Sequence, residues 1–215
     1  FTGVAAGSYV VRVVTDSVTS SRNGYLSSLR SVLTFRTNAS TGTAVDVTDY
    51  VGGHDPATAD AGAAAAGWVL TPTTGVFSGT GSGRAHAFAP VTIATGDVTG
   101  VDFGWSFDLV TNVNDAGQGS LRQAITNANT LGGDASLAQA GLVAAKENAV
   151  FMISNGTAAP GLRAVNNYFA GGAATINPAS ALPTLLAPLV LDAQKQPGWT
   201  ATPVLVLDGN NLAAN

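Results

Sequence analysis

Asn112-Val113-Asn114-Asp115-Ala116-Gly117-Gln118-Gly119-Ser120-Leu121-Arg122-Gln123-Ala124-Ile125 divides the 215-residue chain into two stretches of different character. Up to Gly119 the segment is polar and rich in turn formers. At Ser120 it becomes the start of a helix: Ser at the N-cap with Gln123 three residues on is a capping box, in which each side chain satisfies the other's exposed backbone N–H. Such a cap stabilises a helix by about 1 kcal/mol. Leu121, Ala124, Ile125 and Ala128 then recur at helical spacing as a narrow apolar stripe, and Gly132-Gly133 ends it. The expectation is a short amphipathic helix lying on an apolar surface. Before it, Asn112, Asn114 and Asp115 admit two readings: hard oxygen ligands for calcium, or a hydrogen-bonded turn leading into the cap.

Upstream, residues 8–14, 32–36, 42–51, 68–77, 84–93 and 98–108 have the β-branched and alternating patterns of strands, with a Gly, Ala, Asp and Pro loop over 52–67. Val101, Phe103, Trp105 and Phe107 share one face of the last of these strands, which fits a core strand or an aromatic sugar-binding platform. Downstream, a weaker helical pattern covers 136–145. Short apolar strands follow at 150–153, 173–177, 189–192 and 204–208. Leu189-Val190-Leu191-Asp192 and Leu205-Val206-Leu207-Asp208 repeat at a spacing of 16, as stacked β-coils do. Asp192 and Asp208 then stand at equivalent strand ends, either closing turns or stacking as paired carboxylates.

Composition narrows the function classes. Charged residues make up 10% of the chain, against roughly 25% in ordinary soluble domains, which argues against both coiled coil and intrinsic disorder. A net charge of −4 with seven scattered Arg and two Lys gives no basic patch, so nucleic acid is not an expected partner. The absence of Cys removes disulfides, thiolate metal sites and thiol catalysis. No apolar run is long enough to span a bilayer. His54, His86 and the single glutamate Glu147 form no catalytic or metal spacing. Asn38-Ala39-Ser40 and Asn155-Gly156-Thr157 fit the N-glycosylation pattern without further consequence.

The segment from Asn112 to Ile125 resembles the opening motif of large secreted bacterial surface proteins built on right-handed parallel β-helices. There the motif forms the helix that caps the open end of the coil. Val150-Phe151-Met152-Ile153, Ser180-Ala181-Leu182-Pro183, Leu189-Val190-Leu191-Asp192, Gln196-Pro197-Gly198 and Val206-Leu207-Asp208-Gly209 resemble the first coils in the same order. Phe1-Thr2-Gly3-Val4-Ala5-Ala6-Gly7-Ser8-Tyr9-Val10-Val11 and Val101-Asp102-Phe103-Gly104-Trp105 resemble the first and closing strands of collagen-adhesin B-type, prealbumin-like sandwiches. The internal Lys–Asn crosslink of some such sandwiches is excluded, because residues 1–109 contain no Lys.

The resemblance implies a mainly β chain: an Ig/prealbumin-like β-sandwich over residues 1–109, then a capping helix and β-helix-like strands over 110–215. Ser120, Gln123, Leu121 and Ile125 form the cap; Val101, Phe103, Trp105 and Phe107 form the core strand. It further implies a non-enzymatic, extracellular structural protein of the bacterial cell surface, without a cofactor unless calcium binds at Asn112, Asn114 and Asp115. Partners are neighbouring domains of a longer chain or further copies in a filament, because the sandwich lacks an opening strand and the coil stops early. The alternatives are an adhesin module binding a ligand near Trp68, Trp105 or Trp199, and a fragment of a carbohydrate-active enzyme with two carboxylates in a cleft.

Overall fold

The computed structural model describes residues 1–36, 51–53, 55–60, 68–71, 76–79, 87–132, 136–159, 162 and 166–212. Its regular structure is mainly strands in small sheets, with one α-helix among the described residues. Strand β1 (Gly7–Val13) pairs antiparallel with β5 (Ala87–Ile93) from Gly7 opposite Ile93 to Val13 opposite Ala87. β2 (Val32–Arg36) pairs antiparallel with β6 (Phe103–Ser106), and β3 (Trp68–Thr71) forms a hairpin with β4 (Val76–Gly79). The expected strand over 42–51 and both histidines fall largely or wholly outside the described residues.

The β2–β6 ladder carries an irregularity between Leu33 and Phe35. The cause sits opposite: a Cβ on Gly104 would collide with the Phe35 ring, so glycine lets that ring lie across the strand. Val101 and Phe107 fall outside β6, and Val101, Phe103, Trp105 and Phe107 are all half-buried. Phe103 and Trp105 keep the same-face relation read from their alternation, with ring centroids 5.7 Å apart. Phe107 turns away to meet Tyr25 edge-on at 6.0 Å.

Beyond Asp108 parallel pairing appears. β7 (Leu109–Val110), β8 (Glu147–Phe151) and β11 (Leu189–Asp192) form a parallel sheet in the order β11-β8-β7. β10 (Ala173–Ile176) lies parallel to β12 (Leu205–Leu207) and antiparallel to the short β9 (Phe169–Ala170). The 16-residue repeat therefore does not mark adjacent strands of one sheet: β11 extends the first sheet and β12 the second. Asp192 and Asp208 close turns instead, accepting the N–H of Gln194 (3.1 Å) and Asn210 (3.0 Å).

Helix α1 (Leu121–Leu131) packs on β7 and β8, and Leu121, Ala124 and Ile125 join Val110, Ala149, Phe151, Ile153, Ala174 and Ile176 in one core. The stripe read from the sequence is thus the helix's buried face. The second helix expected over 136–145 is not formed; the described residues 136–146 run as turns. Two competitors hold them there. The Asn148 side chain takes both the N–H (3.2 Å) and the carbonyl (3.1 Å) of Val143, and Ala145 adopts a left-handed φ of 59° with its N–H on Leu137 O.

Candidate functional site

The cap motif forms a polar seam between the two stretches of chain. Asn112, 1% exposed, donates from Nδ2 to Pro56 O (2.7 Å) and Gln118 O (2.9 Å), while its Oδ1 accepts the Asn114 N–H (3.1 Å). Asn114 donates to Ala57 O (3.0 Å). Gln118 donates to Ser31 O (2.7 Å) and accepts the Asp60 N–H (2.8 Å). Asp60 in turn accepts from Arg12 (3.2 Å) and from Thr15 N–H (2.8 Å). Buried Asn127, one face of α1, donates to Arg30 O (2.8 Å) and Phe107 O (2.9 Å). The amides thus occupy backbone groups of the facing segment, the Asn112 bond to Pro56 O being buried and most of the others part-buried. Gly119 is required in this seam: its φ is +77°, and a Cβ there would strike Thr111 Oγ1 and Asn112 Nδ2.

At the helix start, Ser120 Oγ accepts the Gln123 N–H (3.1 Å), as the capping reading requires. The return half of the box is not used: the Gln123 side chain donates to Asn127 Oδ1 (2.9 Å), and Ser120 N–H goes to Gly117 O (3.1 Å). Asp115 is bound by Arg122 (2.8 Å) and by Ala179 N–H (2.9 Å), which hold its carboxyl below the usual range, the Arg122 hydrogen bond contributing most. Arg122 reaches on to Ser180 O (2.8 Å) and Ala181 O (2.6 Å), tying the cap loop to the chain before β11. Of the oxygens that Asn112, Asn114 and Asp115 offer for calcium, Asn112 Oδ1 and Asp115 Oδ1 are engaged by protein donors. Among the described residues no group of three or more His, Cys, Asp or Glu could hold a metal ion.

A second site lies where β6 gives way to β7. Asp108 and Glu147, 8% and 2% exposed, lie close enough for the Glu147 carboxyl to act on Asp108. Arg22 clasps Glu147 with both terminal nitrogens, Nη1 standing 3.3 Å from Oε2, and Nη2 also donates to Leu131 O (2.8 Å) at the end of α1. Gln139 Nε2 donates to Asp108 Oδ2 (3.1 Å). Burial first, then the adjacent Glu147 carboxylate, push Asp108 up to about 6, so it holds a proton in mildly acidic water. Beside the pair opens a cleft of about 350 Å³ lined by Ser20, Ser21, Trp105, Phe107, Asp108 and Gln139 among others.

Sequence reading missed this pair. Its members lie 39 positions apart, and Asp108 reads as a strand end and Glu147 as an isolated acid. The link is register: Leu109 stands opposite Val150, Val150 N–H bonds Asp108 O (2.8 Å), and the start of β8 comes beside the end of the preceding segment. Gln196 was missed as well. Fully buried, it accepts Ile153 N–H (2.8 Å) and donates to Ile153 O (2.7 Å), pairing with that residue as a strand would. Of the tryptophans named as platforms, Trp105 lines the cleft and Trp199 is exposed; for Trp68 only the backbone in β3 is described. No helix among the described residues is long and apolar enough to cross a membrane. Compared with known proteins, the chain matches no protein-family model, no curated protein and no solved structure.

Proposed function

We propose that the chain is a non-enzymatic structural module of an extracellular bacterial surface appendage, a prealbumin-like sandwich leading into the capped first coils of a parallel β-helix, and that it joins neighbouring copies by β-strand addition. The observation that carries this reading is the state of the last strands. β11 and β12 each end their sheet, and Leu191, Val206 and Leu207 on them are exposed. An unpaired edge with apolar side chains is a template for a further strand. The packing of α1 on β7 and β8 supports the role of a cap.

A carbohydrate-binding adhesin module is the second reading, favoured by Trp105 and Phe107 beside polar groups in the 350 Å³ cleft. The hydrolase reading gains less, because Glu147 is 2% exposed and held by Arg22, whereas both carboxyls of a glycosidase flank the scissile bond. Sedimentation velocity over a wide concentration range, with electron microscopy of the same samples, tests the first reading. Concentration-dependent oligomers or threads are expected, and a Leu191→Lys/Val206→Lys variant disperses them. An ordered monomer at every concentration overturns assembly by strand addition, and binding of that monomer to immobilised oligosaccharides moves the reading to the adhesin.

A further inference from the structure

The cleft of about 350 Å³ where β6 gives way to β7 is lined by Trp105, Phe107, Asp108 and Gln139, with Ser20 and Ser21 from the N-terminal stretch. Its volume suits a small ligand, and such sites combine apolar walls with a few placed polar groups. The charges around it do not cancel. Arg22 borders the cleft too, but its guanidinium is committed to Glu147 and to Leu131 O. Asp108 accepts from Gln139, an uncharged donor (3.1 Å), and forms no ion pair among the described residues. Titrating at about 6, its carboxyl is charged at pH 7, so two carboxylates and one guanidinium leave one negative charge over. A carboxylate on a residue only 8% exposed gains from a cation brought to it. Trp105 and Phe107 line the same cleft, and aromatic rings attract cations as well as the apolar face of a sugar ring.

We propose that this cleft binds an amino sugar with a free ammonium group, a glucosamine unit for example, its ammonium on the Asp108 carboxylate, its ring against Trp105 and Phe107, and its hydroxyls toward Ser20 and Ser21. The inference rests on the adhesin reading of the cleft and is independent of strand addition. Each competing class leaves part of the lining unused. A simple alkylamine has nothing for the two serine hydroxyls, each able to donate and to accept. A neutral sugar leaves the Asp108 charge without a counter-ion, and an acidic sugar adds a third negative charge beside Asp108 and Glu147.

Calorimetric titration of the full chain at pH 7 with a glucosamine trimer, its N-acetylated counterpart and trilysine tests the site. The glucosamine trimer is expected to bind about tenfold or more tightly than the N-acetylated trimer, as one hydrogen bond to a charged group allows, and more tightly than trilysine. Asp108→Asn, similar in volume and uncharged, should bring the glucosamine trimer down to the N-acetylated level. Should that variant fail to fold, Ser21→Lys and Ser21→Gln decide. Residue 21 is exposed, and only the lysine should weaken the glucosamine trimer, by about threefold or more; equal effects of the two overturn the ammonium site. An N-acetylated trimer that binds as tightly as the glucosamine trimer overturns recognition of the ammonium and leaves a neutral-sugar adhesin. Trilysine binding as tightly as the sugar overturns the sugar as ligand. Binding of neither trimer overturns the site together with the adhesin reading of the cleft.

Discussion

The region around the cap motif and the outer strands of the two parallel pairings are finished differently. At the β7 end, polar groups brought in by the cap motif have named partners: Asn112, Gln118 and Asn127 take up backbone atoms of Pro56, Ser31, Asp60, Arg30 and Phe107, and the apolar face of α1 is buried. At the β11 and β12 end, the outer ladder edges have no partner strand among the described residues, and Val206 and Leu207 are 44% and 55% exposed. Such a contrast teaches where the chain's specificity is concentrated. Buried and half-buried amides with fixed backbone partners specify one arrangement of the seam, while a bare ladder edge specifies only that the next element be a strand.

The largest expected effect of a truncation to Ala lies in the seam. Asn127→Ala leaves Arg30 O and Phe107 O without the donors they use, and strips Gln123 of its acceptor. A loss of about 2 to 4 kcal/mol is expected, since each orphaned buried group costs about 1 to 3 kcal/mol. Urea unfolding measures it; a change below about 1 kcal/mol would show that the seam is solvated and that the contrast between the two ends is overstated. Ile125→Ala should cost a similar amount by opening a cavity under the helix, so the two substitutions separate the polar share of the closed end from the apolar share.

Calcium offers a smaller test of the same seam. Because Arg122 occupies Asp115 and Asn114 N–H occupies Asn112 Oδ1, the thermal midpoint in excess calcium should equal that in chelator. A rise with calcium would mean that the loop rearranges to release its oxygens, making the cap a ligand site as well as a join.

Legibility followed the range of the interaction. The start of α1 was readable because its cap is local: Ser120 and Gln123 are three residues apart, and Gly132 sits where an added Cβ would strike Ala187 and the Ala128 carbonyl. The bounds of β2 and β11 were readable from runs that suit a strand whatever it pairs with. The turns over 136–146 were not, since the helical pattern there loses to an Asn148 side chain outside the window. Misreading the 16-residue repeat has a similar source. Strand composition is written in the sequence, but which sheet a strand joins depends on the register of β8 and β10. Of the candidate site, the cap residues were found and their partners were not; the Asp108–Glu147 pair exists only once that register is set.

The smallest expected effect is at the open end, and it is the one that sharpens the contrast most. Val206→Lys places a charge on an exposed position of an edge strand whose backbone pairs on one side with β10. Surface substitutions of this kind stay within about 0.5 kcal/mol, so the isolated chain should unfold at the same denaturant concentration as wild type. The same lysine at Val110, fully buried between β8 and the α1 stripe, would put an unpaired charge into the core and should prevent folding. If Val206→Lys also unfolds the chain at low concentration, where no neighbour is bound, then β12 is part of the core and not a site awaiting a strand. If it leaves stability intact while removing self-association, the exposed leucines and valine act between molecules, and the low charge of the chain, 10% of its residues, leaves little repulsion to oppose that contact.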